Sequence, residues 1–256
     1  MASSATGELL RAWRTRRRYS QLDLALAAQV STKHLSYIET GRARPSAEMI
    51  LHLTEHLSVP LRARNEILAS AGFAPRYRDV RRDADSDARI VSLLDDLIST
   101  HPYPTVAVDD DWNLVTANAA AAIFLVGVAA HLLVPPINVI RLSLHPDGLA
   151  SRVDNFAAYA AHVCARIRSA TARAPSRVLD ELLTEFAHLE REATRAGAED
   201  LFLTLDLTTD AGVIRFFSTI TIFGAPRDVA LDGIALETFH PADDLSRARW
   251  SQLEPG

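Results

Sequence analysis

The chain has 256 residues, 48% of them apolar, which is enough to bury a real core as one large domain or two smaller ones. Its single cysteine, Cys164, excludes an internal disulfide and any cysteine-rich metal site. The net charge of −5 is unevenly divided: residues 1–80 hold 12 Lys and Arg against 7 Asp and Glu, and the remainder carries a balance of −10. A basic N-terminal part joined to an acidic C-terminal part predicts a nucleic-acid partner for the first alone.

Met1 to Gly7 lacks the basic-then-apolar pattern of a signal peptide. The predicted elements then begin with a helix bearing Leu9, Leu10 and Trp13 on one side and Arg14, Arg16, Arg17 and Arg18 on or near the other. Ser20 is placed to cap a second helix, Gln21 to Ala28, with Leu22, Ala25 and Leu26 inward. Ser31 caps a third, Thr32 to Thr40, which buries Leu35 and Ile38 at i, i+3 spacing and stops at Gly41. Pro45-Ser46 opens a fourth helix, Ala47 to Leu57, and Pro60 a fifth that runs to about Ala71 and closes at Gly72.

Lys33 is the only lysine in the chain. That removes the phosphate-binding P-loop, which needs Gly-Lys-Ser/Thr, and any Ser–Lys hydrolase dyad in the C-terminal part.

The run Ser20-Gln21-Leu22-Asp23-Leu24-Ala25, then Val30-Ser31, then Ile38-Glu39-Thr40-Gly41, resembles the helix-turn-helix of the xenobiotic-response-element family over roughly Leu9 to Ala71. The resemblance implies a compact all-helical DNA-binding domain whose second motif helix enters the major groove and faces base edges with its N-terminal residues. Here those residues are Thr32, Lys33, His34, Ser36 and Tyr37. Lys33 can donate to guanine O6 or N7, and Thr32 offers a hydroxyl and a methyl. Gln21 stands where the family anchors the DNA backbone, and Arg42 and Arg44 suit phosphate contacts. The bland alternative is a plain polar helix face. Gln29 departs from the family's glycine in the turn, and a non-glycine residue in the left-handed region costs on the order of 1 kcal/mol.

Arg76 to Asp87 is dense in charge and reads as a linker. A helical pattern resumes at Ile90, Leu93, Leu94 and Leu97. Pro104 to Val108 and Trp112 to Ala117 read as strands joined by the Asp109-Asp110-Asp111 turn. Ala119 to Ala130 is apolar but only about half the length of a membrane helix, and predicts a buried helix in a cytoplasmic protein. Helical segments fill most of 118–198. Leu201, Leu203, Leu205 and Leu207 then alternate with Phe202, Thr204, Asp206 and Thr208, the period of a strand. Asp210-Ala211-Gly212 turns it into an antiparallel partner, Val213 to Ile222, and a last strand falls at Ala235 to Phe239.

Trp112 to Asn118 looks like the opening of a PAS-type sensor, and Asn138-Val139-Ile140-Arg141-Leu142 with His145-Pro146-Asp147-Gly148 resembles the ligand-binding domain of MmyB-like regulators. That resemblance spans about Asp87 to Phe239. It implies a PAS-like α+β domain, an antiparallel sheet with a helical insertion, and a pocket for a small apolar, fatty-acid-like ligand. The expected organisation is a helix-turn-helix domain over 1–75, a linker over 76–86 and the PAS-like domain over 87–256. Small alanines at 119–122 would leave space beneath a sheet, and Phe124, Phe156 and Tyr159 can line a cavity or serve as ordinary core. Arg141 can pair with a ligand carboxylate, or else be a surface residue or form a salt bridge to an internal acid. Asn118 reads as a helix cap.

His52-Leu53-Thr54-Glu55-His56 spells an inverted zinc-protease pattern. Within a compact helical bundle, without a third ligand, it reads as a polar helix face. His131 and His145, with the remaining histidines, show no ligand spacing. The expectation is therefore a regulator that binds double-stranded DNA as a homodimer, with no catalytic residues, metal or cofactor and no membrane partner. The alternative is a DNA-binding protein whose C-terminal domain serves only dimerisation or protein contact.

Overall fold

The computed structural model describes residues 2–78, 84–192 and 203–253. The chain forms two compact units: Met1–Ala84 with Gly224–Gly233, and Asp85–Phe223 with Ile234–Gly256. The second unit therefore differs from the contiguous stretch 87–256 expected from sequence.

The first unit holds helices α1 (Ala2–Arg16), α2 (Gln21–Ala27), α3 (Thr32–Glu39), α4 (Ala47–His56) and α5 (Leu61–Ser70). Three of their starts follow the serines in the sequence. Ser20 accepts from the Asp23 N–H in a capping box, Ser31 from the His34 N–H, and Ser46 from the Met49 N–H. Helix α2 closes in a Schellman arrangement, with Gln29 N–H donating to the Leu26 carbonyl and Val30 N–H to that of Ala25. Gln29 takes φ +52° there, the left-handed conformation that its family position requires. Gly41 and Gly72, both at positive φ, end α3 and α5 as expected.

Leu10, Trp13, Leu24, Ala25, Leu35, Ile38, Ile50, Leu53 and Ile67 make the core of this unit. The inward face of α2 is only partly the one expected: Ala25 is buried as expected and Leu24 with it, while Leu22 and Leu26 are 56% and 69% exposed. Two i, i+4 apolar stripes compete on this short helix. The stripe containing small Ala25 and Ala28 lets α2 approach its neighbours closely, so it takes the core and leaves both leucines outside.

The segment expected to be linker is partly built into this unit. Asn65 of α5 donates to the Tyr77 carbonyl and accepts from the Arg76 and Tyr77 N–H groups. Arg78 then bridges to Asp228, and its carbonyl accepts from the Val229 N–H. Val229 and Ala230 are buried. Helix α5 begins at Pro60, which supplies no side-chain cap; instead the Asp232 carboxylate accepts from the Leu61 N–H at 2.6 Å. A residue 171 positions away thus caps the helix.

In the second unit, β1 (Thr105–Val108), β2 (Leu114–Ala117), β3 (Leu205–Thr209), β4 (Gly212–Ile222) and β5 (Ala235–Pro241) form an antiparallel sheet in the order β2-β1-β5-β4-β3. The strand expected from Leu201 starts at Leu205; residues 201–202 lie outside the described residues. Helix α6 (Ala84–Ile98) lays Leu94 on one sheet face, against Ala107, Ile234 and Leu236. The other face carries Val106, Val108, Leu207, Ile214 and Phe216. It is covered by α7 (Val139–Leu144) and α8 (Phe156–Arg173), with the 3₁₀ turns at Ala119–Leu125 and Ala130–Leu133. The apolar run at 119–130 is therefore not one α-helix. Gly127, at φ +73°, breaks it. Helices α9 (Arg177–Glu185) and α10 (Ala187–Glu192) pack beside α8, and the last described helix is Asp244–Leu253.

Asp232→Ala should remove the cap of α5 and lower the stability of the N-terminal unit by about 0.5–2 kcal/mol, with Asp232→Asn retaining most of it. Hydrogen exchange of the first-turn amides of α5 in the full chain measures the effect; unchanged protection in Asp232→Ala would show that the contact contributes nothing.

Candidate DNA-reading helix and ligand cavity

The N-terminal turn of α3 presents its polar side chains outward because Leu35 and Ile38 hold the opposite face in the core. Lys33, His34 and Tyr37 are exposed, and Thr32 and Ser36 half-buried. Two cations lie over the Tyr37 ring, with Lys33 Nζ 5.7 Å and Arg42 Cζ 6.0 Å from its centroid. These residues form one surface.

Two expected members have other partners. Arg44 donates to the Ala71 carbonyl at 2.8 Å, at the end of α5, and lies over Phe73. Gln21 donates to Glu39 Oε2 at 2.8 Å. Glu39, only 5% exposed, also receives Nε and Nη2 of Arg14 at 2.6 and 2.9 Å. That hydrogen bonding holds the Arg14 guanidinium above its ordinary pKa despite partial burial. The pair locks α1 to the C-terminal end of α3 and so fixes the pitch of the presented face. Sequence reading did not find Arg14. Its only signal was a glutamate on an otherwise apolar helix flank.

His52 and His56 each engage a backbone carbonyl through one ring nitrogen. His52 Nε2 lies 2.6 Å from the Ala28 carbonyl, and His56 Nδ1 lies 2.9 Å from that of His52. The fold instead gathers His131, His145 and Asp147, whose donor atoms lie within 4.8 Å of one another. The Asp147 N–H donates to His145 Nδ1 at 3.0 Å, so that nitrogen is occupied by the tight His-Pro-Asp-Gly turn.

The second unit contains a cavity of about 290 Å³ between the sheet and its helical cover. Its apolar wall includes Val106 and Phe239 from the sheet, Phe124 from the 3₁₀ turn, Leu142 from α7 and Val163 from α8. The small side chains of Ala119, Ala121 and Ala122 also line it. Of the expected ligand residues, Phe124 and Tyr159 line this space. Phe156 packs between the two core clusters instead. Arg141 is outside the cavity, paired with Glu185 of α9 at 2.8 Å and held above its ordinary pKa by that hydrogen bond. The surface salt bridge, the alternative reading of Arg141, is the one the structure adopts.

The cation at the cavity is Arg166, unmarked in the sequence reading. It donates to Glu237 of β5 through Nη1 at 2.8 Å and Nη2 at 3.3 Å, and its Cζ lies 4.4 Å from the centroid of the Trp112 ring. Desolvation, with the Glu237 charge nearby, pushes the Tyr159 hydroxyl up to about 12, so it stays a neutral hydroxyl. Asn118 is saturated by the fold: it accepts from the Thr105 and Ala121 N–H groups and donates to the His101 and Tyr103 carbonyls. It is a cap, as expected, at the edge of the cavity.

A helical DNA-binding unit followed by a sheet-and-helix unit with an internal cavity defines a helix-turn-helix regulator carrying a ligand-binding domain. Comparison with protein families agrees: the model described as "Helix-turn-helix domain" matches residues 5–67, and that of the "MmyB-like transcription regulator ligand binding domain" matches residues 88–253. The chain belongs to the MmyB-like transcription regulators. A search of curated proteins finds no match. Among the described residues, no helix is long and apolar enough to cross a membrane.

Proposed function

We propose that this regulator reads operator DNA through α3, in the manner of xenobiotic-response-element proteins, and that a small apolar ligand in the 290 Å³ cavity alters that binding. The cavity carries the reading. A domain serving only to dimerise has no need of an apolar space of this size next to a sheet. Its volume falls just below the ~300–1,000 Å³ of ligand pockets, which favours medium-length over long acyl chains of the fatty-acid class. No catalytic role enters this reading.

For DNA, Thr32, Lys33, His34, Ser36 and Tyr37 face the bases, and Arg42 faces phosphate. Gln21 and Arg44 belong to the same surface, but their bonds within the fold make them supports for it as much as contacts. Lys33→Ala and Thr32→Ala should lose about 1–3 kcal/mol of discrimination between bases. Arg42→Ala should instead weaken all sequences and reduce the salt slope by about 1. Binding to operators selected from a random DNA pool separates the two outcomes, and unchanged specificity in Lys33→Ala would mean that another element reads the bases.

One motif reads few base pairs, so the protein acts as a homodimer spanning half-sites about 34 Å apart. Light scattering of the full chain at micromolar concentration should give twice the monomer mass. A monomer both free and on DNA would refute the dimer.

Medium-chain fatty acids and their neutral analogues should raise the melting temperature of the full chain, because they bind only the folded state. They should also shift operator affinity by roughly 5- to 150-fold. If no chain length does either, the sensor reading fails and the dimerisation alternative replaces it.

A further inference from the structure

Among the described residues, Arg166 and Glu237 are the only ones lining the cavity that carry charge. They neutralise each other. Glu237 has a side chain only 6% exposed, and both its oxygens accept from the guanidinium. The guanidinium carbon also lies over the Trp112 ring, 4.4 Å from its centroid. On the far side of the pair, His162 and Ser218 line a narrow space with Leu203. His162 is held below the ordinary histidine pKa by burial and by Arg166, so it supplies no second cation.

A ligand carboxylate entering this site would meet a cation already committed to a resident carboxylate. It would add a second negative charge beside Glu237, within low-dielectric walls, and one of the two anions would be left uncompensated. A neutral polar group meets no such obstacle. A carbonyl or hydroxyl oxygen can accept from the guanidinium edge, and a ligand hydroxyl can join the hydrogen-bonded Tyr159–Ser143 pair, in which the Ser143 proton goes to the Ile140 carbonyl.

We propose that the cavity selects apolar ligands with an uncharged head group, such as alcohols, ketones, esters or amides, over free carboxylates, because Glu237 occupies the place a ligand carboxylate would take on Arg166. This rests on the reading of the cavity as the ligand site and specifies its chemistry. Glu237 is then the specificity-determining residue.

The test uses the full chain and a matched ten-carbon series, 1-decanol, methyl decanoate, decanoate and decylamine, titrated by displacement of a fluorescent apolar probe at neutral pH. The alcohol or ester should bind at least about tenfold more tightly than decanoate, the factor corresponding to one pKa unit of charge mismatch. Glu237→Gln should reverse or abolish that preference by releasing Arg166 to the ligand. Tyr159→Phe, which keeps the ring and the ion pair, should weaken the alcohol a few-fold and leave the probe unchanged; this variant and the wild-type comparison stand even if Glu237→Gln fails to fold. Decanoate or decylamine binding the wild type as tightly as the alcohol would overturn the head-group selection while leaving the ligand site intact. Failure of every member to displace the probe would overturn the site itself, and the selection with it.

Discussion

A carboxylate withdrawn from water must take a cation with it, and each unit of this regulator is arranged around one such pair. In the first, Glu39 on α3 holds Arg14 on α1; in the second, Glu237 on β5 holds Arg166 on α8. In both the acid is nearly inaccessible and the base reaches it from a different element. Breaking a buried pair by removing one partner typically costs about 3–5 kcal/mol, because it strands the other charge. The pair therefore acts less as a source of stability than as a constraint on geometry. Helix α1 cannot rotate away from α3, and α8 cannot slide along the sheet, without exposing or orphaning a charge. The first constraint sets the angle of the DNA-reading face. The second sets the polar end of the cavity.

Much of this was legible in the sequence because the signals were local. Serine caps, glycine stops and period-three spacing place α2, α3 and α4, and period-two alternation with the turn that follows it gives β3 and β4. The errors share one cause. On α2 two apolar stripes were available, and only the tertiary neighbours decided that Leu24, rather than Leu22 and Leu26, joins Ala25 in turning inward. Composition favoured one helix at 119–130, where the structure has two 3₁₀ turns separated by Gly127 at positive φ. Arg141 drew notice as a cation in an apolar run, yet its helix turns it outward to Glu185. Arg166, on a helix with other arginines, carried no such mark, and its partner lies 71 residues on. Long-range pairing of this kind leaves no spacing rule to read.

The cavity shows how a regulator can enclose charged residues and still have an apolar interior. Arg166 and Glu237 cancel, Tyr159 stays neutral, and Asn118 spends its amide on backbone groups of the loop before β1. The wall is polar in places but electrically quiet. Such a lining discriminates by shape and by single hydrogen bonds, each worth about 0.5–1.5 kcal/mol.

Residues 224–233 have a consequence for how the chain can be divided. They connect two adjacent strands of the ligand-binding sheet, yet their own packing is with α5 and with Arg78 of the DNA-binding unit. A cut in the linker near residue 80 would free neither part intact. The N-terminal fragment would lack the carboxylate that starts α5, and the C-terminal fragment would expose Val229 and Ala230 to water. The same holds for recombination between relatives. A foreign DNA-binding domain grafted at the linker inherits a clasp shaped for another helix, so the two halves of such a regulator are exchangeable only when this short stretch, encoded more than a hundred residues downstream, is exchanged along with them.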